Sequence, residues 1–284
     1  MTKFSNKGLG SLKHSKNLGD WCMKDDITVI QINEKPIVKL TDVEIGYKNN
    51  ETLVKIPDLE IFPGEIVAIA GPSGVGKTTL LRTIAGLVKA ISGKVEVCGK
   101  VIPHRPKRGK LGYIPQRLGL VRHASVMHNV MLGANAGQKK EVFHKNKYIQ
   151  MISNSMLPFF PSKEAKNRSL DAIEKMGLTD KIREPIRKLS GGQQRRVATA
   201  RTLAQEPSLV LADEFLSELD EETMETVLRG VVEYIRNNNA ALLVIEHDIS
   251  RAKSMADRLL VIDDGRLNPF ITEVTMLEVK EWLR

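Results

Sequence analysis

Short apolar runs separated by polar segments dominate the hydrophobic pattern of this 284-residue chain. The most apolar runs have the length of β-strands, and none approaches the eighteen or more residues of a membrane span. After residue 193, helices and strands alternate, and this rhythm predicts an α/β fold with a parallel sheet. The most apolar runs cover residues 66–70, 209–212, 240–245 and 259–262. The predicted later elements are helices over 193–206 and 221–236 and strands over 209–212 and 241–245.

The first ordered part of the chain is predicted to be rich in short strands. A turn at Pro63-Gly64 precedes a buried strand, which leads through a glycine-rich segment into a helix over 77–87. In that helix the apolar residues recur at helical spacing. The predicted strands cover residues 37–40, 43–45, 53–56, 59–61, 65–70 and 93–102.

Between residues 116 and 188 strand-like runs disappear and helical segments replace them. The clearest helix covers 162–176, with Ser162 as its cap and Gly177 as its stop. Leu170, Ile173 and Met176 predict its apolar face. A helix is also predicted over 273–284, and residues 1–35 are polar enough to predict a disordered tail.

Composition narrows the class of protein. The apolar fraction is 42%, the charged fraction is 27%, and two distant cysteines exclude a disulfide framework or a thiolate metal cluster. The tail lacks the apolar segment of a secretory signal, so a reducing cytoplasm is expected. A net charge of +9 is compatible with a nucleic-acid surface or with a solvated surface. The scattered positions of the charges and an aromatic content of only 5% favour the solvated surface.

A phosphate-binding loop follows the strand over 65–70 and opens the next helix. Such a loop turns backbone N–H groups toward phosphates, and the helix N-terminus adds positive potential. Lys77 is expected to bridge the terminal phosphates and Thr78 to ligate Mg²⁺. The alternative is a glycine turn that merely caps a helix. The loop consists of Gly71, Pro72, Ser73, Gly74, Val75, Gly76, Lys77 and Thr78.

Two later strands end in chemistry-bearing residues. Asp213 and Glu214 follow the strand over 209–212, at the sheet edge where α/β proteins bind ligands. Asp213 is expected to contribute to Mg²⁺ binding, and Glu214 is expected to act on the water that attacks the phosphate. His247 ends the next strand, where it can hydrogen-bond a γ-phosphate. The alternative for the acidic pair is a solvated strand end. The other five histidines show no metal-ligand spacing and are interpreted as surface or core residues.

A second glycine-rich loop has no evident use within its own chain. It contains Ser190, Gly191, Gly192 and Gln193, preceded by Leu189, and a helix follows it. Its backbone donors and hydroxyl make chemical sense if they cover a triphosphate bound by another copy of the chain.

The ordered set of motifs resembles the ATPase subunit of an ABC transporter, over residues 37–270. Gln116 matches the Q-loop of that family, 189–193 its signature loop and 217–220 its D-loop. His247 matches the switch histidine, and Tyr47 the aromatic that stacks on adenine. The resemblance implies a RecA-like P-loop NTPase of the α/β class in one domain, 36–284. A parallel-sheet core (36–116 and 189–284) would carry an N-terminal antiparallel β subdomain and an inserted helical subdomain, 117–188.

The resemblance also implies a mechanism. Two copies would sandwich two ATP molecules head to tail, and membrane permeases would receive the motion through Gln116. An extracytoplasmic solute-binding protein is expected, nucleic acid is not, and the chain is expected at the cytoplasmic face of the membrane as a peripheral subunit. The implied catalytic residues are Glu214, His247, Lys77 and Gln116. The implied Mg²⁺ ligands are Thr78, Gln116 and Asp213. The implied nucleotide contacts are Tyr47, residues 71–78, Thr79, Ser190, Gly191, Gly192, Gln193 and Asp220.

The direction of transport and the transported solute are indicated only by less specific sequence features. Residues 120–126 with Asn129-Val130, and the long segment 137–167, resemble the ATPases of phosphonate importers, although a generic helical subdomain explains them too. An exporter or lipoprotein-extraction ATPase shares every catalytic motif, and a soluble ATP-driven clamp on nucleic acid is a further alternative. Two departures from the family pattern are small: Phe215 stands where proline is commoner, and Glu246 where a small residue is frequent.

Overall fold

The computed structural model describes residues 35–46, 51–137, 162–217 and 219–269. Its first two strands are long: β1 runs from Val38–Gly46 and β2 from Thr52–Ile61, paired antiparallel. The prediction of four short strands was wrong here, because polar residues interrupt the apolar runs without ending the pairing. Asp42, where β1 was predicted to break, has a positive φ of 49° while the strand continues.

All described strands join one sheet in the order β5-β4-β1-β2-β10-β9-β3-β8-β7-β6. Strands β5, β4, β1 and β2 pair antiparallel, and β9, β3, β8, β7 and β6 run parallel to one another. Strand β10 lies between the two groups, parallel to β2 and antiparallel to β9. This arrangement confirms the predicted α/β fold with an N-terminal antiparallel region. The remaining strands are β3 Ile66–Ala70, β4 Ser92–Val97, β5 Lys100–Val101, β6 Leu111–Ile114, β7 Leu209–Asp213, β8 Ala241–Ile245, β9 Arg258–Asp263 and β10 Arg266–Pro269.

The structure corrects two strand predictions. The strand predicted over 93–102 is divided into β4 and β5 by a turn at Cys98-Gly99, where both residues have positive φ. Strand β6 was not predicted, because it is short and contains a glycine. That glycine, Gly112, is needed for packing, since a Cβ there would lie 2.6 Å from Thr202 Cγ2.

The helices predicted over 77–87, 162–176, 193–206 and 221–236 are present, some with shifted ends, whereas the helices Val126–Ala136 and Ile249–Met255 were not predicted individually. Helix α1 ends at Ile84 rather than at residue 87, because Gly86 takes a positive φ of 69° and Leu87 is exposed. Short 3-10 turns cover Thr179–Lys181 and Ile186–Lys188. The α-helices are α1 Lys77–Ile84, α2 Val126–Ala136, α3 Lys163–Lys175, α4 Gly191–Leu203, α5 Glu221–Asn237 and α6 Ile249–Met255.

Helix α3 confirms its predicted ends but not all of its predicted face. The Ser162 hydroxyl accepts a hydrogen bond from Ala165 N at 3.1 Å, and Gly177 stops the helix with a φ of 61°. Ile173 and Met176 are buried, whereas Leu170 is 38% exposed. Small side chains take its place, since Ala165, Ser169 and Ala172 allow α2 to pack closely. Helix α2 also packs against α4.

Two apolar cores lie on opposite faces of the sheet. The parallel strands are buried on both faces, which explains why they read as continuous apolar runs. In β3, for example, Ile66, Ala68 and Ala70 enter one core while Val67 and Ile69 enter the other. Helices α2 to α6 cover the first core, and α1 with β1 and β2 encloses the second.

Several sequence predictions lie outside the described residues: the tail over 1–34, the aromatic Tyr47, most of the segment 137–167, Glu218, and the helix over 273–284. Within the described ranges, no helix is both long and apolar enough to cross a membrane. Nor do those ranges contain a group of three or more His, Cys, Asp or Glu residues suited to a metal ion.

Candidate functional site

Three parallel strands bring the predicted site residues to one edge of the sheet. Strand β8 lies between β3 and β7, with Ile69 and Asp213 both opposite Ile245 in the register. All three strands therefore end at the same level. The phosphate-binding loop, Asp213-Glu214 and His247 follow directly from those ends, as the sequence predicts.

The phosphate-binding loop has a backbone that only glycine tolerates at key points. Gly71 and Gly76 have φ values of 143° and 108°, and a Cβ on Gly71 would lie 2.6 Å from Ile262 O. Lys77 is 5% exposed and its Nζ donates to Gly71 O at 2.7 Å and to Pro72 O at 2.8 Å. Burial lowers the pKa of Lys77, against the attraction of Glu214 and Asp213. A cation arched over an open backbone loop at a helix N-terminus fits the phosphates of a nucleotide.

A hydroxyl and a carboxylate meet beside this loop. Thr78 Oγ1 donates to Asp213 Oδ1 at 3.3 Å, which joins the start of α1 to the end of β7. Asp213 is almost completely buried, and desolvation raises its pKa while the Thr78 hydrogen bond acts in the opposite direction. Hydroxyl and carboxylate oxygens are ligands that Mg²⁺ prefers, so this pair fits the ion that accompanies ATP.

The Glu214 carboxylate is held from both sides. His247 Nε2 lies 2.6 Å from Oε1, and Gln116 Nε2 donates to Oε2 at 3.1 Å. Glu214 also has a positive φ of 53°, and its carbonyl accepts from Arg195 Nη1 at 3.0 Å and from Ser217 Oγ at 2.9 Å. A strained backbone that is fixed by neighbouring side chains is typical of functional sites.

Sequence reasoning missed two arginines of α4 that support this arrangement. Arg195 is buried and holds the Glu214 carbonyl. Arg201 donates to Leu118 O at 2.8 Å and to Gly119 O at 2.9 Å, and so holds the segment just after Gln116. Their spacing carries no signal in the sequence, because both contacts depend on how α4 packs.

The second glycine-rich loop forms the N-terminus of α4 and is organised locally. Ser190 Oγ accepts from Gln193 N at 3.2 Å, and Gln193 Oε1 accepts from Ser190 N at 3.0 Å, which is a capping box. A cavity of about 470 Å³ adjoins it, lined also by Arg196, Asp220 and Thr223. In the described part of the chain, no hydrogen bond connects residues 190–193 to the phosphate-binding loop.

Asp220 and Thr79 have mainly structural contacts in the described residues. Asp220 caps α5 by accepting from Thr223 N at 2.9 Å, and that hydrogen bond lowers the pKa of Asp220. The Thr79 carbonyl accepts from Thr83 Oγ1 within α1 at 2.9 Å.

Asn129, part of the segment that resembles phosphonate importers, is fully buried. Its side chain accepts from Val121 N at 2.7 Å and donates to the carbonyls of Val121 and Ser125. It thereby ties the segment after Gln116 to the start of α2. These hydrogen bonds give Asn129 a structural role and carry no information about the cargo.

Comparison with known proteins decides the family. The sequence model of the ABC transporter family matches residues 54–217, which is more than half of the chain. The chain belongs to the ABC transporter family. It is an ATP-binding cassette of that family, and ATP hydrolysis is its activity.

Curated relatives of this ABC cassette are named as import or transport ATP-binding proteins. It is 34% identical to the hypophosphite import ATP-binding protein HtxD of Stutzerimonas stutzeri over 81% of its own length, but spans only 65% of that relative. It is 33% identical to the phosphonates import ATP-binding protein PhnC of Lactobacillus acidophilus, over 82% of the cassette and 88% of the relative. The L-cystine transport system ATP-binding protein TcyN of Escherichia coli is 34% identical, over 77% and 84% respectively.

A solved structure supports the fold. The dimeric cassette MJ0796, in a post-hydrolysis state bound to ADP and Pi, matches the cassette with a TM-score of 0.65 and 27% identity. The match covers 81% of this chain and 96% of that one. The α/β P-loop fold predicted from the sequence is thereby confirmed.

Proposed function

We propose that this cassette drives import of a phosphonate-like or other small oxyanion solute, with Glu214 as the general base of ATP hydrolysis. The observation that carries the catalytic proposal is the carboxylate held between His247 at 2.6 Å and Gln116 at 3.1 Å. It lies at the same sheet edge as the phosphate-binding loop. A base fixed on both oxygens is pre-oriented toward a water that attacks the γ-phosphate.

The loop residues provide the phosphate site. Backbone N–H groups of 71–78 would face the phosphates, and Lys77 would exchange its two carbonyl partners for phosphate oxygens. Thr78, Asp213 and Gln116 would hold the Mg²⁺ that accompanies ATP, which neutralises phosphate charge when bound. Tyr47 would stack on adenine. These assignments rest on the buried cation, the Thr78–Asp213 contact and the glycine backbone.

In the proposed hydrolytic step, Glu214 would accept a proton from the attacking water as the water oxygen bonds to the γ-phosphorus. The bond between that phosphorus and its bridging oxygen would break, giving ADP and inorganic phosphate. His247 keeps Glu214 in place through the 2.6 Å contact, with Nε2 protonated so that it donates to the carboxylate. Gln116 holds the other oxygen. The three side chains therefore act as one unit.

The second glycine-rich loop would complete the site from another copy. Ser190, Gly191 and Gly192 begin a helix, so their N–H groups and the helix dipole favour an anion. The adjoining cavity is lined by polar residues, and the similar cassette MJ0796 has been solved as a dimer. A head-to-tail dimer would set this loop against the triphosphate bound by the partner, with Asp220 near the same interface.

Partners and cargo are proposed from the relatives. These relatives are named as import ATP-binding proteins and as a transport-system ATP-binding protein, so membrane permeases and an extracytoplasmic solute-binding protein are the expected partners. The cassette would then work at the cytoplasmic face of the membrane. Two of the three relatives act on phosphorus oxyanions by name, which favours such a cargo over cystine.

The catalytic proposal is tested by Glu214→Gln. Loss of the base lowers kcat by roughly a thousandfold while ATP still binds, because general-base catalysis contributes factors of that order. The measurement is steady-state phosphate release, together with ATP-dependent dimerisation by size-exclusion chromatography. Glu233→Gln, an exposed carboxylate on α5, is the matched control and should leave the rate unchanged. An unaltered rate in Glu214→Gln would overturn the base assignment.

The cargo proposal is tested by growth of the source organism with a phosphonate, hypophosphite or cystine as the sole source of phosphorus or sulfur. A Lys77→Ala allele should remove growth on a phosphorus oxyanion and leave growth on cystine unchanged. The reverse pattern would assign the cassette to cystine import.

A further inference from the structure

Glu246, the residue just before His247, is a buried carboxyl group that the proposed chemistry does not use. It is 3% exposed, and its Oε1 has no hydrogen-bond partner within the part of the chain that the structure describes. Its backbone N–H donates to Ile69 O at 3.1 Å, next to the start of the phosphate-binding loop. A buried carboxyl group without a full set of partners is costly, so its presence at this position requires an explanation.

The side chain of Glu246 reaches over its own segment to the next helix. Arg251 Nη1, on α6, lies 3.6 Å from Glu246 Oε2 and is partly exposed. Between them, Asp248 caps α6 by accepting from the N–H groups of Ser250 and Arg251. The Glu246–Arg251 ion pair therefore spans the segment that carries His247 and connects it to α6, while the backbone N–H of Glu246 connects the same segment to β3.

The surroundings of Glu246 make its charge responsive to pH near neutrality. Burial raises the pKa of this carboxyl group to about 7. Arg251 and His247 act against that rise, whereas the negative charges of Glu214 and Asp248 add to it. These four side chains come from α6, from the end of β7 and from the segment of Glu246 itself.

We propose that Glu246 is a positioning residue: in its ionised form it pairs with Arg251 and holds His247 against Glu214, and in its protonated form it releases that hold. This inference rests on the proposed function, because it assigns to Glu246 the orientation of a contact used in hydrolysis. It adds a residue that shapes the reaction without touching the nucleotide.

The direction of the effect follows from the ion pair. Above the pKa of Glu246 the carboxylate attracts Arg251, the segment is fixed, and the 2.6 Å contact between His247 and Glu214 is favoured. Below it the carboxyl group is neutral, and the attraction to Arg251 is lost. The part of kcat that depends on Glu246 therefore rises with pH through neutrality.

The ratio of wild-type kcat to that of Glu246→Gln isolates the contribution of Glu246 and of the groups whose charge it senses. Glutamine is neutral at all pH values and similar in shape, so titrating groups that do not interact with Glu246 cancel in the ratio. We expect a ratio close to one at about pH 5.5 that rises to roughly tenfold at about pH 8.5. A role in packing alone would give a ratio that does not change with pH.

Arg251→Met provides a second variant should Glu246→Gln fold poorly. Without Arg251 the ionised carboxyl group has no cation on α6 to pair with and cannot hold the segment of His247, so this variant should show the same loss at high pH. The double variant should be no slower than either single one, because all three lack the same ion pair. A ratio that is flat with pH in both single variants, or losses that multiply in the double variant, would overturn the proposal.

Failure of this inference and failure of the proposed function are distinguishable in the same assay. If Glu214→Gln hydrolyses ATP at the wild-type rate, the base assignment fails, whatever Glu246 does. If Glu214→Gln is inactive and the wild-type to Glu246→Gln ratio is flat with pH, only the positioning role of Glu246 fails.

Discussion

The two glycine-rich loops of this cassette differ in the contacts that they make with the rest of their own chain. The phosphate-binding loop is surrounded by its own chain, with Lys77, Thr78, Asp213 and Glu214 linked by contacts of 2.6 to 3.3 Å to one another or to neighbouring groups. Within the residues described, the side chains of Ser190 and Gln193 in the second loop make only the capping bonds of their own helix. The first loop is proposed to bind phosphates within its own chain, whereas the second is a helix N-terminus whose capacity to bind an anion is not used by the described residues of its own chain. We propose that the second loop acts on the nucleotide of another copy.

The largest effect on hydrolysis is expected from a substitution in the phosphate-binding loop. Lys77→Ala removes the buried cation that is proposed to face the phosphates, so kcat/KM should fall roughly a thousandfold, the scale seen when a preorganised charge donor is removed. Steady-state phosphate release and nucleotide titration measure the two contributions. Because this loop acts within its own chain, the affinity of the monomer for ATP should fall as well. Unchanged affinity would contradict the assignment of Lys77 to the phosphates.

The second loop should respond differently. Ser190→Arg adds a bulky cation at the N-terminus of α4, which should lower hydrolysis roughly a hundredfold by preventing closure over the partner's nucleotide. The affinity of the monomer for ATP should not change, because the first loop is intact. A variant that hydrolyses ATP at the wild-type rate would show that one chain completes its own site.

Stability responds to pH through Glu246, which neither loop contains. The folded-state pKa of this carboxyl group is raised from 4.5 to about 7, so the folded state binds more protons than the unfolded chain between these pH values. Stability should therefore fall as the pH rises through this window, by up to about 3 kcal/mol. Glu246→Gln lacks this loss, so its unfolding midpoint in urea should exceed that of the wild type at pH 8 and match it at low pH. Parallel curves for the two proteins would contradict the raised pKa.

Substitutions of the two serines that cap helices should have smaller effects, and they separate a structural role from a role in hydrolysis. Ser190 caps α4 and Ser162 caps α3, each accepting one backbone hydrogen bond. Alanine at either position should cost about 1 kcal/mol of stability, measured by urea unfolding. Only Ser190→Ala should also lower ATP turnover, since only this hydroxyl is proposed to face a nucleotide. Equal losses of turnover would reduce Ser190 to a structural cap.

Much of the site could be predicted because its residues lie in short contiguous segments at the ends of strands. Parallel strands with matched registers bring those ends together, so Asp213, Glu214 and His247 needed only their position after an apolar run. Arg195 could not be predicted, because its contact with the Glu214 carbonyl depends on the packing of α4. The burial of Glu246 was equally hidden, since a glutamate after a strand is usually solvated.

The fold shows the same difference between features that a contiguous segment predicts and features that depend on packing. Apolar runs that are buried on both faces predicted β3, β7 and β8, whereas β6 is too short and contains Gly112. The predicted apolar face of α3 was wrong at Leu170. Close packing between helices favours small side chains, and the periodicity of apolar residues does not report this preference.

The central claim, that each ATP site is shared between two copies, is tested most directly by cross-linking. Two proteins are prepared on a Glu214→Gln background with Cys22 and Cys98 replaced by serine, one carrying Ser73→Cys in the first loop and the other Ser190→Cys in the second. After mixing with ATP and Mg²⁺, a short bismaleimide is added and the products are separated by denaturing electrophoresis. A shared site should give a covalent heterodimer that forms with ATP and not with ADP, and no such product when either protein is treated alone. No heterodimer with ATP, or equal amounts with and without nucleotide, would contradict the shared site.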